Sequence, residues 1–465
     1  MFFRLLYDEA LAQASYFVGC EATGEALVVD PTRDVDRYLE LAARHGFQIT
    51  AVTETHIHAD FLSGTRELAE RTGAAVYLSG AGTPDWQYRW ATKEVTLLQN
   101  GDAFRVGRLL ITALHTPGHT PEHLCFALTD RGVGATHPVG IFTGDFLFVG
   151  DVGRPDLLES AVGQRGVARQ SAEVLFDSLA ILETLPDFVQ VWPGHGAGSA
   201  CGKALGAIPQ STIGYERRYN PALQITDRAQ FVEFVLQGQP DPPLYFARMK
   251  RLNRDGVPIL GDLPRPRRLT LQELRSLLPE VWIVDTRPWG EFQKGHLEGS
   301  IFAPLARAFP TVVASYVPED APVVLILPES LLPEAVRQLV RVGVDRIVGY
   351  VEPHHLSAAD GLLQSLPTVT VDELSSVRPD SVVLVDVRNH DEYAAGHIPG
   401  ALHAPYARLP EHWDQLPKDA ELVVYCQSGE RSAYAAALLQ RYGFRVRQYA
   451  GGFWEWVLSG GPVER

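Results

Sequence analysis

The chain has 465 residues, which is too long for one compact domain and corresponds to about three domains of ordinary size. Hydrophobic residues make up 46% of it and charged residues 21%, a globular composition that excludes extensive disorder. Acidic residues outnumber basic ones by 56 to 41, giving a net charge of −15. We therefore expect no nucleic acid among its partners, because a nucleic-acid-binding protein normally carries a basic face.

Cysteine content and hydropathy narrow the setting in which the protein works. Four cysteines are too few for a disulfide scaffold, and thiols at this density favour a reducing, cytoplasmic location. The first residues lack the apolar core and cleavage site of a signal peptide. No run of about 18 apolar residues occurs, so we expect no membrane span.

Residues 1–225 predict a layered α/β domain. The segments FRLLYD, SYFVG and ALVVD are short apolar strands, and VDRYLELAARHG is an amphipathic helix followed by its glycine. The next strand, ITAVTET, leads into a group of histidines. Polar residues at strand ends predict a site on the connecting loops. Residues 226–267 are interpreted as a helical tail and a linker rich in proline and arginine.

Four segments of this domain each place a metal-ligand residue type just after an apolar run. Histidines two apart converge only where the chain is extended or turning, because on a helix they point away from each other. A single histidine would be explained by packing, but four such segments together predict a metal site. The candidates are His56, His58 and Asp60 in THIHAD, His119 in TPGHT, Asp145 in TGD and His195 in PGHG.

The motifs HxHxD, TPGH, TGD and PGHG, in this order, resemble the metallo-β-lactamase superfamily over about residues 1–225. The resemblance implies an αββα sandwich with a metal site at one edge. Dinuclear zinc hydrolases of the superfamily, such as glyoxalase II, have HxHxDH, whereas this chain has Phe61 at the last position. A phenyl ring cannot coordinate a metal, so the resemblance favours one metal held by His56, His119 and Asp145.

Two histidines and one carboxylate are a ligand set of non-haem Fe(II) oxygenases. The superfamily's persulfide dioxygenases have this set, and the chain is similar to them also in Gly153-Arg154-Pro155-Asp156. The resemblance thus implies one Fe(II) per chain, the alternative being a zinc enzyme that tolerates Phe61. Cys201, in a glycine-rich segment, either handles persulfide or is a small residue in a tight loop. Residues expected to hydrogen-bond the ligands or contact the substrate are His58, Asp60, His195, Arg154 and Cys201.

The rest of the chain contains an internal duplication. Residues 284–305 and 385–406 are identical at nine of 22 positions at a constant offset of 101 residues. This period is far too long for a solenoid, so it indicates two copies of one domain at about 268–365 and 368–465. Each copy has continuous apolar strands and amphipathic helices, which predicts an α/β domain with a parallel sheet.

In the second copy the strand LVVY ends at Cys426, in a glycine-containing loop that leads into a helix. Backbone N–H groups and a helix N-terminus there favour a thiolate or a persulfide. The pattern VDVR…GHIPGA…VVYCxSGxRS resembles rhodanese sulfurtransferases over about 368–465, which implies sulfur transfer on Cys426 with Arg431 as a fixed cation. A cysteine phosphatase would have C-x5-R, one residue longer. The remaining loop residues are Gln427, Ser428, Gly429 and Glu430.

The first copy has no cysteine, since Leu325 or Leu327 aligns with Cys426. We interpret it as a pseudo-rhodanese domain that serves as a spacer or interface. The residues it shares with the second copy, such as Asp285 and Arg287, are then explained by the fold.

The fusion predicts a coupled enzyme. A non-haem iron persulfide dioxygenase would oxidise a low-molecular-weight thiol persulfide with O2 to sulfite, and the rhodanese would transfer sulfane sulfur through Cys426 to give thiosulfate. The alternatives are a zinc-dependent, glyoxalase II-like thioester hydrolase fused to a sulfurtransferase, and a non-enzymatic sulfur carrier or persulfide sensor. The sequence leaves open the thiol carrier, the direction of the rhodanese reaction and the number of subunits, a homo-oligomer included.

Overall fold

The structure is a computed structural model that describes residues 1–157, 166–358, 361, 363–376 and 382–465. The chain forms two compact units, Met1–Asp262 and Leu263–Arg465. Among the described residues, no helix is long and apolar enough to cross a membrane.

The first unit contains twelve strands in its described part. They are β1 (Phe2–Asp8), β2 (Gln13–Cys20), β3 (Glu25–Val29), β4 (Gln48–Thr53), β5 (Ala75–Ser79), β6 (Val95–Leu98), β7 (Ala103–Val106), β8 (Leu109–His115), β9 (Leu124–Asp130), β10 (Gly140–Gly144), β11 (Gln190–Pro193) and β12 (Ser211–Thr212). They form two six-stranded sheets, with the orders β1-β2-β3-β4-β5-β6 and β12-β11-β10-β9-β8-β7.

The two sheets stack face to face over an apolar core. Tyr16 of β2, Phe142 of β10 and Trp192 of β11 are buried between them, with the Phe142 ring 5.1 Å from Tyr16 and 4.7 Å from Trp192. Such aromatic contacts contribute beyond the apolar area that they bury. The first unit therefore has its central hydrophobic core between the two sheets.

Helices cover the outer faces of both sheets. Tyr38 and Leu68 pack on the first sheet, and Leu175 and Phe231 pack on the second. The predicted αββα sandwich is therefore confirmed. The helices are α1 (Asp36–His45), α2 (Thr65–Thr72), α3 (Ala168–Ser178), α4 (Ile213–Tyr219), α5 (Arg228–Leu236) and α6 (Phe246–Asp255), with 3-10 turns at Pro84–Trp86, Arg131–Val133, Leu179–Thr184 and Pro221–Gln224.

The second unit contains both copies of the duplicated sequence. Its strands are β13 (Arg267–Arg268), β14 (Trp282–Asp285), β15 (His296–Leu297), β16 (Ser300–Phe302), β17 (Val323–Ile326), β18 (Ile347–Val351), β19 (Leu363–Gln364), β20 (Thr368–Val369), β21 (Val382–Asp386), β22 (Leu402–His403), β23 (Glu421–Tyr425) and β24 (Arg445–Tyr449). Its helices are α7 (Leu271–Leu277), α8 (Trp289–Lys294), α9 (Phe309–Tyr316), α10 (Leu332–Arg341), α11 (Val371–Ser376), α12 (His390–Ala395), α13 (Glu430–Arg441) and α14 (Gly452–Leu458), and 3-10 segments lie at Glu329–Leu331, Pro353–Ala358 and Tyr406–Gln415.

The two copies build equivalent parallel sheets. The first has the strand order β13-β18-β17-β14-β16 and the second β20-β24-β23-β21-β22. A buried Asp–Arg pair at the end of the second strand is also repeated, with 2.6 Å between Asp285 Oδ2 and Arg287 Nη2 and between Asp386 Oδ2 and Arg388 Nη2. This agreement supports a structural role for these pairs. The assignment of the cysteine-free copy as a rhodanese-like domain stays a prediction.

The copies contact each other inside the second unit. The Tyr316 hydroxyl donates to the Tyr406 carbonyl at 2.9 Å, and the rings of Phe302 and Tyr434 stack with 5.7 Å between their centroids. Tyr434 lies on α13, the helix that follows the cysteine loop. The first copy therefore packs against the element that carries this loop.

Candidate metal centre and sulfur-transfer loop

His56 lies in the loop after β4, and its ring is oriented by its neighbour. Thr55 donates its backbone N–H to Asp30 Oδ1 at 2.7 Å, and its hydroxyl contacts His56 Nδ1 at 3.0 Å. With Nδ1 engaged, Nε2 is the free nitrogen and lies 3.9 Å from Asp145 Oδ2. Such a contact at the second nitrogen fixes the ring of a metal-ligating histidine.

His119 follows β8 and is oriented in the same way by a backbone carbonyl. Its Nδ1–H donates to the Arg154 carbonyl at 3.0 Å, and its Nε2 lies 3.5 Å from Asp145 Oδ2. The Arg154 side chain is buried, pairs with Asp156 at 2.6 Å and donates to the carbonyls of Ala200 and Pro240. Arg154 thus anchors the loop whose carbonyl holds His119.

Asp145 follows β10 and lies at the centre of the cluster. It is fully buried, yet neither of its carboxylate oxygens has a hydrogen-bond partner among the described residues. Its backbone N–H donates to His123 Nε2 at 3.2 Å. Gly153 packs so closely that a Cβ there would lie 1.7 Å from the Asp145 carbonyl oxygen. A buried, unpaired carboxylate is costly unless a cation satisfies it.

The ligand atoms of His56, His119 and Asp145 all lie within 4.8 Å of one another, and all three residues are buried. Burial and neighbouring imidazoles lower the pKa of His56 well below its usual range, and burial lowers the pKa of His119. Both rings are therefore neutral at pH 7, the form that binds metals. The donor set and its unpaired carboxylate fit a divalent metal ion.

His58 lies beside His56, with 4.2 Å between the ring centroids, but directs its Nε2 to Asp30. Its Nε2 lies 3.1 Å from Asp30 Oδ1, and its ring is 4.4 Å from the Phe61 ring. Burial disfavours the imidazolium, but Asp30 outweighs it and raises the pKa of His58 to about 9. With Asp30, His58 therefore forms a buried ion pair next to the cluster.

Asp60, His195 and Cys201 form a second buried group whose ligand atoms lie within 4.8 Å of one another. His195 donates its Nδ1–H to the Ala12 carbonyl at 3.1 Å, and its Nε2 lies 3.4 Å from Asp60 Oδ2 and 3.5 Å from Asp145 Oδ1. Within the part of the chain that the structure describes, both oxygens of Asp60 lack hydrogen-bond partners. Burial, with Asp60 and Asp145 nearby, raises the pKa of the Cys201 thiol well above its usual range.

Asn253 was missed at the sequence level, although it holds the metal loop together. From α6 its side-chain amide donates to the carbonyls of His58 and Phe61 at 2.8 and 2.7 Å and accepts the Ser63 N–H at 2.9 Å. The segment interpreted as a helical tail therefore packs into the first unit. No sequence motif indicates Asn253. Asp30, which also was not predicted, resembles the candidate ligands only in lying at the end of a strand.

Cys426 lies directly after β23, the central strand of its sheet, and is buried. The Gly429 N–H donates to its Sγ at 3.1 Å. Gln427 accepts a hydrogen bond from Arg388 at 3.1 Å, and Ser428 and Glu430 are exposed at the mouth of the loop. Of the predicted loop residues, Gly429 therefore contacts the thiol directly.

Arg431 points toward α12. Its Nη1 and Nη2 contact the two carboxylate oxygens of Glu392 at 2.5 and 2.8 Å. Burial opposes the charge on Arg431, but Glu392 outweighs it and raises the pKa of the guanidinium. Burial likewise opposes the charge on Glu392, whose pKa is nevertheless lowered by Arg431. The predicted cation is thus present beside the loop, in a two-point ion pair.

Comparison with known families agrees with this geometry. Residues 9–195 match the metallo-beta-lactamase superfamily, and residues 370–459 match the rhodanese-like domain. A solved metallo-beta-lactamase from Staphylococcus aureus subsp. aureus COL is 41% identical, with a TM-score of 0.71, over 76% of this chain and 99% of its own. The chain belongs to the metallo-beta-lactamase superfamily and carries a rhodanese-like domain.

Curated relatives match about half of this chain. The hydroxyacylglutathione hydrolase of Rhodopseudomonas palustris (strain BisA53) is 30% identical over 51% of this chain and 80% of its own length. The persulfide dioxygenase ETHE1 of Bos taurus is 25% identical over 48% of this chain and 76% of its own length. Hydrolases and an oxygenase are thus both among the relatives.

Proposed function

We propose that the first unit is a non-haem iron persulfide dioxygenase and that the rhodanese-like domain transfers sulfane sulfur through Cys426 to give thiosulfate. The observation that carries the proposal is the group of His56, His119 and Asp145, while His58 pairs with Asp30 through Nε2. Two neutral imidazoles and one carboxylate leave coordination positions open for O2 and a substrate. The similarity to the Bos taurus persulfide dioxygenase supports the same activity.

The overall oxidation balances as R–S–SH + O2 + H2O → R–SH + SO3²⁻ + 2H⁺. Fe(II), when bound, would supply the redox chemistry that activates O2 toward the outer sulfur. The chain's own contribution is to keep His56 and His119 neutral and oriented, through Thr55 and the Arg154 carbonyl. The burial of Asp145 also keeps bulk water from its carboxylate.

The sulfur-transfer half uses Cys426. Its thiolate attacks the outer sulfur of R–S–SH, the S–S bond breaks, and R–S⁻ leaves and takes up a proton as the thiol. Sulfite then attacks the outer sulfur of the Cys426 persulfide, which releases thiosulfate and restores the thiolate. The Gly429 N–H, at 3.1 Å from Sγ, stabilises the negative sulfur in both steps.

A zinc-dependent thioester hydrolase is the second candidate function. Two observations favour it: the hydroxyacylglutathione hydrolase among the relatives, and the buried group of Asp60, His195 and Cys201, which offers donors for a second ion. Phe61 is the feature against it, because it removes a histidine that dinuclear hydrolases of this superfamily use.

An oxygen-electrode assay joined to metal analysis separates the two functions. The iron-loaded protein is expected to consume O2 with glutathione persulfide or coenzyme A persulfide and to form sulfite or thiosulfate. The zinc-loaded protein is expected to leave S-lactoylglutathione intact. Stoichiometric zinc without iron, no O2 uptake and rapid thioester hydrolysis would establish the hydrolase instead.

A further inference from the structure

The mouth of the Cys426 loop carries more negative than positive charge. Arg431 is held at two points by Glu392, so its charge is already compensated. Glu430, the first residue of α13, is exposed beside it, and its carboxylate accepts only a neutral hydroxyl, from Tyr434 at 2.7 Å, among the contacts found. The described groups at the mouth therefore leave one carboxylate without a compensating cation.

The positive charge of Arg388, the second guanidinium near the loop, is also compensated by a carboxylate. Arg388 donates to both oxygens of Asp386 at 2.6 to 3.0 Å, and its remaining Nη1 donates to the Gln427 amide oxygen. The attraction left for a sulfur anion comes from the Gly429 N–H and the N-terminus of the twelve-residue helix α13. These neutral dipoles suit one negative charge on the sulfur of Cys426.

We propose that Glu392 is a specificity-determining residue of the sulfur-transfer site. By holding Arg431, it withholds that cation from dianionic oxoanions, so thiosulfate is a poor sulfur donor and an organic persulfide is the donor class that Cys426 accepts. The inference deepens the proposed function, on which it rests for the identity of the donor. Sulfite, the acceptor in the proposed function, is a dianion too, so Glu392 is expected to weaken its binding in the same way and does not set the direction of the reaction.

The chemistry of the donor explains the discrimination. Transfer from R–S–SH to Cys426 releases a thiolate with a single negative charge, which a proton neutralises. Transfer from thiosulfate must bring two negative charges past Glu430 and release sulfite, which is again a dianion. Like charges in a partly buried site repel each other strongly enough to change binding.

Glu392→Gln removes the charge and keeps the local fold. Glu392 also caps α12, where its carboxylate accepts the Asn389 N–H at 3.1 Å, and glutamine can replace glutamate in a capping box. Glu373→Gln is the matched control, because Glu373 accepts the Thr370 N–H at 2.8 Å in the same domain and has no contact with Arg431 among those found.

The test compares two sulfur donors, dianionic thiosulfate and an alkyl persulfide with no charged group on its alkyl chain, with cyanide as acceptor at low ionic strength. In Glu392→Gln the KM for thiosulfate is expected to fall about three- to fivefold, the size of a partly exposed ion-pair contact, while the KM for the alkyl persulfide stays within about twofold. An unchanged KM for thiosulfate, an equal fall for both donors, or the same fall in Glu373→Gln would overturn the proposal.

Glu430→Gln keeps the proposal testable if Glu392→Gln does not fold. This variant removes the carboxylate charge at the mouth, leaves the Glu392–Arg431 pair in place and can still accept from Tyr434. It should also lower the KM for thiosulfate, and a KM that stays at the wild-type value would count against the charge argument. Neither assay involves O2, so a missing O2 uptake would refute the dioxygenase without touching this result.

Discussion

At the scale of single residues, the metal centre depends on which ring nitrogen of each histidine is hydrogen-bonded and which is left free. His56 and His119 each use Nδ1 in a hydrogen bond and keep Nε2 free, whereas His58 uses Nε2 in its contact with Asp30. The outer contacts thus decide which histidines can bind a metal. This difference cannot be read from the spacing HxH alone, because it depends on Asp30, which lies 28 residues earlier in the chain.

His119→Ala should therefore remove the bound metal and the O2 uptake, because the remaining His56 and Asp145 offer two of the three donors. Metal content per chain, measured after gel filtration, is expected to fall to below about a tenth of the wild-type value, as the loss of a direct ligand weakens binding at least as much as loss of a supporting contact. His115→Ala, four residues earlier, is the control and should keep its metal. A full complement of metal in His119→Ala would contradict the ligand assignment.

Glu122 makes the first unit sensitive to pH. Its buried carboxylate accepts the Ile57 N–H at 2.8 Å, and burial raises its pKa to about 7. Because the folded state then holds a proton that the unfolded state releases near pH 4.5, the free energy of unfolding falls as pH rises to about 7.

Glu122→Gln should lose this dependence, because the amide does not titrate. Between pH 5.5 and 8 the wild type is expected to lose about 2 kcal/mol of stability relative to the variant. Urea unfolding followed by tryptophan fluorescence measures the difference, with the exposed Glu94→Gln as control. A pH-independent difference would show that Glu122 is ionised in the folded protein at both pH values.

At the scale of elements, the cysteine loop is shaped by Gly429, which has a φ of +98° and packs against the Ala450 carbonyl. A Cβ there would lie 2.4 Å from that oxygen, so Gly429→Ala must shift the loop and move the N–H that faces Cys426. We expect sulfur transfer to fall at least about tenfold, since the loss of one such donor costs about this much or more.

Gly443→Ala is the control that separates the backbone strain of a positive φ from the steric contact with the Ala450 carbonyl. Gly443 also has a positive φ, of +81°, but a Cβ added there would meet no described atom within 4 Å. Its substitution should reduce stability and leave sulfur transfer nearly unchanged. Sulfane sulfur on Cys426, measured by mass spectrometry, reports the loading step directly. Equal effects of the two substitutions would show that the close contact to Ala450 is unimportant.

The sequence predicted the sheets, and it predicted site residues where a motif coincided with the end of a strand. The αββα layers, the parallel sheet around Cys426 and the grouping of His56, His119 and Asp145 follow from apolar runs and from the family resemblance. Asn253 and Glu392 could not be predicted, because each acts on a segment far along the chain or on another helix. The ion pair of Arg431 likewise depends on how α12 packs, which no local pattern encodes.

At the scale of the whole molecule, the two candidate sites lie in separate compact units. The metal residues all lie within Met1–Asp262, and Cys426 with its loop lies within Leu263–Arg465. Neither site needs a residue of the other unit for the contacts described above. In the proposed function, the link between the two sites is sulfite, which would form at the first site and react at the second.

Cys426→Ser tests this division. Serine cannot carry sulfane sulfur, but the first unit keeps all its contacts, so O2 uptake with glutathione persulfide should stay within about twofold of the wild type, as expected for a distant site that shares no partners. The product should change from thiosulfate to sulfite, which ion chromatography distinguishes. Loss of O2 uptake in this variant would mean that Cys426 delivers the substrate to the metal centre, and the two sites would then form one obligatory sequence.

The converse variant, His119→Ala, should keep sulfur transfer from an alkyl persulfide to cyanide, because that reaction needs only the thiol, the Gly429 N–H and the helix behind them.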